Sequence, residues 1–208
     1  MSTNVKFFEP VGFCANSYAL ESENDIALVD IGSVTRELED YLKRNGERVR
    51  YILLTHDHYD HICGVNAAKK LCGNAKVVVC SLDKSGLTDP SYSLCDMAGI
   101  EQPQITADIT VEDESRLPFA NGEIRVLHTP GHTDGSVCYI FENIMFSGDT
   151  LFCGSVGRTD FITGSGEQMI SSLQRLASLS GDYTIYCGHG ESTRLSYEKQ
   201  TNPYFNEL

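Results

Sequence analysis

Thr55-His56-Asp57-His58-Tyr59-Asp60-His61 is the stretch of this chain that most strongly indicates a fold and a chemistry, because it holds three of the six histidines. It follows the apolar run 51–54, which is typical of a buried strand, and it precedes a segment with helical character. Side chains two residues apart project to the same side of an extended backbone. His56 and His58 can therefore bind one cation from the same direction.

Asp60 and His61 lie where this loop turns into the predicted helix, so their side chains point elsewhere and can serve a second cation. Imidazole and carboxylate groups suit zinc, and also iron or manganese. Further ligand-type side chains follow other predicted strands, each beside a glycine: Gly131-His132, Gly148-Asp149 and Gly188-His189. Because strand ends gather at one edge of a layered sheet, we expect all of these side chains to converge.

Local patterns predict strands alternating with a few helices in both halves of the chain. The predicted strands are 16–20, 26–30, 49–55, 76–80, 125–127, 137–141, 144–147 and 183–187. The predicted helices are 35–45, 62–71 and one opened by Ser165-x-x-Gln168, with Ile170, Leu173 and Ala177 on its apolar stripe. Asn121-Gly122 predicts a hairpin turn, and residues 84–118 an extended loop with short pieces of structure. This order favours an α/β architecture of sheets packed face to face with helices outside.

Composition limits the classes of partner. A length of 208 residues predicts one domain spanning 1–208, and a net charge of −13 without a basic stripe argues against nucleic acid and anionic membranes. No apolar run reaches the roughly 18 residues that a bilayer requires. The eight cysteines are scattered without a Cys-x-x-Cys pair, and the first residues lack an export signal, so we expect reduced thiols and a cytoplasmic protein. A small-molecule substrate is the expected partner, and the sequence leaves the oligomeric state open.

Over essentially its whole length, the sequence resembles the metallo-β-lactamase-fold hydrolases, and most of all the short, single-domain enzymes of the glyoxalase II (hydroxyacylglutathione hydrolase) type. The resemblance is carried by Thr55–His61, Pro130–Thr133, Ser147–Phe152, Gly157–Asp160 and Gly188–Gly190. It implies a four-layer αβ/βα sandwich with two divalent metal ions, zinc before iron or manganese, at one edge.

The resemblance also implies a role for each candidate residue. By this likeness His56, His58 and His132 would hold the first metal, Asp60, His61 and His189 the second, and Asp149 would bridge both together with a water. A hydroxide between the two metals would attack an acyl-thioester such as S-lactoylglutathione, and Asp60 would orient it as the catalytic residue. A thiolate can leave without a proton donor, which an amide nitrogen usually cannot, so this site favours thioester over amide cleavage.

Arg158 falls where the family places a basic residue that meets the acidic end of the substrate, and a guanidinium can hold a carboxylate by two parallel hydrogen bonds. The alternative is an internal Arg158–Asp160 pair that only shapes the loop. Asp149 stands where many true β-lactamases carry cysteine, which argues against a lactam substrate. The segment after His189, residues 190–208, is too short for the helical region that binds glutathione in full-length glyoxalase II.

A second enzyme class also fits the resemblance. Persulfide dioxygenases share this fold, have a segment similar to Gly157–Phe161, and use one iron held by residues that match His56, His132 and Asp149. Near two metals per chain with thioester hydrolysis would indicate the hydrolase. One iron per chain with oxygen uptake would indicate the dioxygenase.

Overall fold

The structure, a computed structural model, describes residues 3–206 and contains two six-stranded sheets packed face to face, with helices on their outer faces. The first sheet has the order β1 (Asn4–Phe8), β2 (Ser17–Ser22), β3 (Asp25–Val29), β4 (Val49–Leu53), β5 (Lys76–Cys80) and β6 (Ile109–Val111). Its first three strands are antiparallel, and β3 to β6 are parallel. The predicted four-layer α/β sandwich is confirmed.

The second sheet has the order β14 (Thr193–Arg194), β13 (Thr184–Cys187), β10 (Ile144–Gly148), β9 (Val137–Phe141), β8 (Gly122–His128) and β7 (Arg116–Phe119). Its neighbours are antiparallel except β10 and β13. A separate two-stranded ribbon is formed by β11 (Leu151–Phe152) and β12 (Ser155–Val156).

The helices are α1 (Arg36–Asn45), α2 (Tyr59–Ile62), α3 (Val65–Cys72), α4 (Cys95–Ala98), α5 (Gly166–Ser178), α6 (Leu195–Thr201) and α7 (Pro203–Asn206). The predicted helix start at Thr35 is confirmed, because its side chain accepts a hydrogen bond from the Leu38 N–H. None of the helices within residues 3–206 is long and apolar enough to cross a bilayer.

Large aromatic side chains are buried between the two sheets. Tyr18 and Leu20 of the first sheet pack in one cluster with Phe119, Tyr139 and Phe146 of the second. A second cluster packs α1 and α3 against the outer face of the first sheet, and a third packs α5 and α6 against the second. The interior therefore fixes the two sheets relative to each other, and with them the strand ends that carry the candidate ligands.

Two predicted features, a hairpin turn and a helix, are wrong because contacts with distant residues override the local sequence pattern. The hairpin turn is Ala120-Asn121 rather than Asn121-Gly122, since Phe119 pairs with Gly122 and this register buries Phe119 between the sheets. The helix expected over 62–71 is interrupted after α2. Gly64 donates its N–H to the Ile31 carbonyl at 2.7 Å, and a Cβ on Gly64 would lie 2.8 Å from Cγ2 of Ile31.

The apolar stripe of α5 differs from expectation, whereas the loop with short pieces of structure that was expected over 84–118 is present. Met169 and Leu176 are buried beside Leu173, whereas Ile170 is 52% exposed, so the stripe is displaced around the helix. Residues 84–118 contain part of a 3₁₀ helix, α4, β6 and most of β7, and β6 extends the first sheet in parallel with β5. Strands as short as β6 depend on this pairing, which local sequence patterns do not reveal.

Candidate metal centre

All seven predicted ligand residues lie at one edge of the two sheets, in loops that follow four different strands. His56 and His58 follow β4, and Asp60 and His61 occupy the adjoining turn of α2. The other three follow β8, β10 and β13, in the order His132, Asp149 and His189. The convergence expected from the strand ends is therefore present in the structure.

Three imidazoles form the first group. Ligand atoms of His56, His58 and His132 all lie within 4.8 Å of one another. The ring centroids are 4.6 to 4.8 Å apart, and Nε2 of His132 is 2.9 Å from Nδ1 of His58. None of the three residues is more than 3% exposed. The group can surround one small cation from three sides.

A mixed group of one carboxylate and two imidazoles lies next to it. Ligand atoms of Asp60, His61 and His189 also lie within 4.8 Å of one another, with Oδ2 of Asp60 3.1 Å from Nε2 of His189. Asp149 stands between the groups. Its Oδ1 is 3.3 Å from Nε2 of His61, and its Oδ2 is 3.5 Å from Nε2 of His132. One carboxylate thus faces both groups with different oxygens.

The hydrogen bonding of these residues fits a bound cation. Four buried side-chain atoms at this spot have no hydrogen-bond partner, namely Nε2 of His56, His58 and His61 and Oδ1 of Asp149. Buried polar atoms are nearly always paired, because leaving one unpaired costs about 1–3 kcal/mol. Nitrogen and carboxylate donors converging in this number match the ligands of divalent zinc or iron. The residues present therefore fit a divalent metal.

The charge states follow from burial and from the neighbouring carboxylates. Burial lowers the pKa of His56 well below its usual range and that of His58 to about 3, so both rings are neutral and offer lone pairs. Burial alone would also lower the pKa of His61, but Asp149, Asp30 and Asp60 raise it well above the usual value. Burial opposes ionisation of Asp149, yet the surrounding histidines hold its pKa below the ordinary value.

Asp30 is a functional residue that sequence reasoning missed. It lies directly after β3 with a φ of +48°, and its Oδ2 is 2.9 Å from Nδ1 of His61. It also accepts hydrogen bonds from the N–H and the hydroxyl of Thr55, at 2.8 and 2.7 Å. A carboxylate behind a histidine fixes the tautomer and orientation of the ring. The sequence signal is that Asp30 ends the predicted strand 26–30, although no glycine stands beside it.

Arg158 lies at the rim of the cluster and contributes in two ways. Its backbone carbonyl is 2.7 Å from Nδ1 of His132, which orients that ring. Its guanidinium makes two hydrogen bonds to Asp160, at 2.6 and 2.7 Å, and stacks over Phe161 with 4.3 Å between Cζ and the ring centroid. The internal pair considered from the sequence is therefore present, on side chains that are both more than half exposed.

A cavity of about 400 Å³ opens onto both groups. Apart from the polar cluster, its walls carry mostly large apolar side chains, and among the described residues Arg158 is the one basic side chain other than histidine that lines it. The apolar lining residues are Leu94, Met97, Phe152 and Phe161. A small substrate can reach the cluster from this side.

A family model described as the metallo-beta-lactamase superfamily matches residues 12–189. The probable metallo-hydrolase YqgX of Bacillus subtilis is 34% identical over 202 residues, covering 95% of each chain. Hydroxyacylglutathione hydrolase GloC of Haemophilus influenzae is 31% identical over 213 residues, covering 98% of each chain. This chain is therefore similar to that protein over nearly the full length of both.

Two solved structures are similar over nearly the whole fold. BLEG-1 B3 metallo-beta-lactamase has a TM-score of 0.88 and 31% identity, covering 97% of this chain and 99% of its own. TTHA1623, in a di-iron-bound form, has a TM-score of 0.82 and 30% identity, covering 94% of this chain and 98% of its own. The second is similar to this chain in fold and was observed with two iron ions.

Proposed function

This chain belongs to the metallo-beta-lactamase superfamily, and we propose that it is a binuclear metal-dependent hydrolase that cleaves acyl-thioesters, S-lactoylglutathione or a related thiol ester among them. The observation that carries the proposal is the pair of adjoining ligand groups with Asp149 between them. A single ion held by the first group would not need Asp60, His61 and His189 as ligands.

We assign the first metal to His56, His58 and His132, and the second to Asp60, His61 and His189, with Asp149 shared. Zinc is the first choice, because histidine and carboxylate are its usual ligands, and iron or manganese can occupy the same donors. The unpaired buried atoms support this assignment, because four of the seven residues each have one buried atom without a hydrogen-bond partner at the shared spot.

When bound, a pair of divalent ions lowers the pKa of a water molecule toward neutrality and polarises the substrate carbonyl. The chain's own contribution is placement and charge. Asp60 is ionised, since His61 and His189 outweigh the effect of burial and lower its pKa. Its carboxylate can therefore accept a hydrogen bond from the attacking water and orient it, which makes Asp60 the proposed catalytic residue.

The leaving group is suggested by the ionisation of the lining acids. Asp60 and Asp149 both have lowered pKa values, so neither carries a proton to donate. A thiolate leaves readily because a free thiol has a pKa of about 8.5, whereas an amide nitrogen needs a proton donor. The site therefore suits thioesters better than amides. We further propose that Arg158 exchanges Asp160 for a carboxylate on the substrate.

The test combines metal quantification with a substrate panel on the purified protein. We expect about two ions per chain and hydrolysis of esters drawn from glutathione, coenzyme A and small thiols. His132→Ala and His189→Ala should each lower both metal content and activity. His128→Ala is the matched control, since His128 lies outside the cluster, with Nε2 against the carbonyl of Asp134 at 2.7 Å. Two ions without thioesterase activity would contradict the substrate class, and the panel includes a β-lactam for that case.

A mononuclear-iron persulfide dioxygenase is the second candidate. Asp149 lies within ligand distance of both His56 and His132, which gives the two-histidine, one-carboxylate set that suits iron. One iron per chain, with oxygen consumption on a thiol persulfide, would favour this function over the hydrolase. Eight free cysteines are consistent with the reducing, cytoplasmic location that we propose for either enzyme.

A further inference from the structure

The buried side chain of Asn16, just before β2 of the other sheet, donates hydrogen bonds to both ends of the turn that carries His189. Asn16 precedes β2 and is 5% exposed. Its Nδ2 donates hydrogen bonds to the carbonyls of Cys187 and Gly190, at 3.1 and 2.9 Å. These two carbonyls lie on either side of His189 in the chain, so one amide group fixes both ends of the turn.

Of the two hydrogen bonds donated by the Asn16 amide, only one goes to a carbonyl that has a second donor. The Cys187 carbonyl also accepts a hydrogen bond from the Tyr18 hydroxyl at 2.7 Å, so it stays paired without Asn16. The structure records no second hydrogen bond to the Gly190 carbonyl among the described residues. Gly190 itself has a φ of +75°. The unique task of the Asn16 amide is therefore to hold the outer end of the turn, beyond His189.

The backbone at the same position joins the other half of the second ligand group. The Ala15 N–H donates to the carbonyl of Asp60 at 2.9 Å, and the Asn16 N–H donates to that of Gly188 at 2.8 Å. Two consecutive residues thus connect the α2 turn to the turn after β13. No corresponding hydrogen bond runs from Asn16 to His56, His58 or His132 within residues 3–206.

We propose that Asn16 is a positioning residue that sets the place of His189 relative to Asp60 and so tunes the affinity of the second cation site alone. This inference rests on the binuclear assignment made above. Asn16 has no polar contact with the ligand side chains themselves, and its effect passes through the backbone of the turn. Hydrogen bonds made to a ligand side chain are commonly worth about 10-fold to 100-fold in metal affinity, and we expect an effect of this order through the backbone of the turn.

The experiment titrates metal-free protein with Zn²⁺ by calorimetry in competition with a chelator. In Asn16→Leu, which keeps the volume of the side chain but removes both donors, one of the two ions should bind about 10-fold to 100-fold less tightly, and the other should bind as in the wild type. Asn16→Ser can replace one hydrogen bond and should lie between the two. Thermal unfolding of each metal-free variant shows whether it is folded before titration.

Asn202→Leu is the matched control, because Asn202 is a fully buried amide whose Nδ2 donates to the carbonyl of Ser155 and to Oε2 of Glu198. It should lower the thermal stability and leave both affinities unchanged. Two unchanged affinities in Asn16→Leu, or equal losses at both, would overturn the role of Asn16. A wild-type protein that binds one ion would overturn the binuclear assignment and this inference with it, and the wild-type titration alone distinguishes that failure.

Discussion

Gly188 packs so closely against the candidate ligands that no side chain fits at this position. A Cβ at this position would overlap Oδ1 of Asp149 and lie 2.8 Å from Cε1 of His61. We expect Gly188→Ala to displace the shared carboxylate and to lower activity by about 100-fold, since a shift near 1 Å in a catalytic group has that order of effect. Activity and metal content of the purified variant are the measurements.

Gly166→Ala is the control for that substitution. Gly166 begins α5, and the nearest atom to its added Cβ is Oγ1 of Thr159 at 3.7 Å, an ordinary contact. Alanine there should leave activity unchanged. An active, fully metal-loaded Gly188→Ala protein would show that the cluster has more freedom than these contacts allow.

Arg158 can be tested through its partner as well as by its removal. Arg158→Ala should raise KM for anionic acyl-thioesters by about 10-fold, the value of one charge-assisted contact, and leave KM for neutral thioesters nearly unchanged. Asp160→Asn should lower KM for the anionic esters, because the Asp160 carboxylate then no longer competes with the substrate for the Arg158 guanidinium. Steady-state kinetics on the two ester types separates these effects. Equal changes on both types would leave Arg158 only the loop-shaping role.

At the scale of elements, two buried acids lie close together, Asp57 in the loop after β4 and Asp83 in the 3₁₀ helix Ser81–Leu87 after β5. Asp83 accepts hydrogen bonds from the Thr133 hydroxyl and the Gly135 N–H, at 2.7 and 2.8 Å. Burial raises the pKa of Asp83 to about 6, and burial together with the charge of Asp83 raises the pKa of Asp57 well above its usual range. Asp57 lies between His56 and His58 in the chain, and Asp83 is bound to the loop that follows His132. The pair therefore links both sides of the first ligand group.

The pair predicts a pH dependence of stability. An unfolded aspartate has a pKa of about 3.9, so the folded state binds more protons than the unfolded state between about pH 4 and 6. The free energy of unfolding contributed by the pair therefore falls as pH rises through this window, by about 1–3 kcal/mol. Asp57→Asn is neutral at every pH and should remove much of that fall in urea unfolding of the metal-free protein. Glu101→Gln, at an exposed acid that does not affect the pKa of either aspartate, should not. Identical slopes for all three proteins would contradict the raised pKa values of the pair.

The helices and strands differ in how far the sequence predicted them. The strand ends that carry His132, Asp149 and His189 were predictable, because glycine and a ligand-type residue follow a run of apolar residues in each case. The hairpin register, β6 and the exposed side of α5 were not. Each depends on a partner distant in sequence, as when Phe119 shifts the turn by one residue to reach the core. Asp30 was missed because it acts through His61 and Thr55 rather than as a ligand.

At the scale of the whole molecule, the candidate ligands come from both sheets and meet at one edge, outside the apolar interior that packs the sheets together. Its residues follow β4 in the first sheet and β8, β10 and β13 in the second. Three histidine nitrogens and one oxygen of Asp149 are buried at this edge without a hydrogen-bond partner. A cation that binds only the folded arrangement stabilises it by mass action, by about 4 kcal/mol at a thousand times its dissociation constant.

Metal removal should therefore destabilise the fold as well as end activity. For a chain of this length, about 4 kcal/mol corresponds to a fall in Tm of about 10 °C, measured by thermal unfolding before and after exhaustive chelation. Restoring Zn²⁺ should restore both the Tm and thioester hydrolysis, because the strand ends are set by the core and the ligands need only small adjustments. A double variant, His132→Ala with His189→Ala, should show no change in Tm on chelation or on addition of Zn²⁺. If the wild type kept its Tm and its full turnover after all metal was removed, neither ligand group could be holding a catalytic ion.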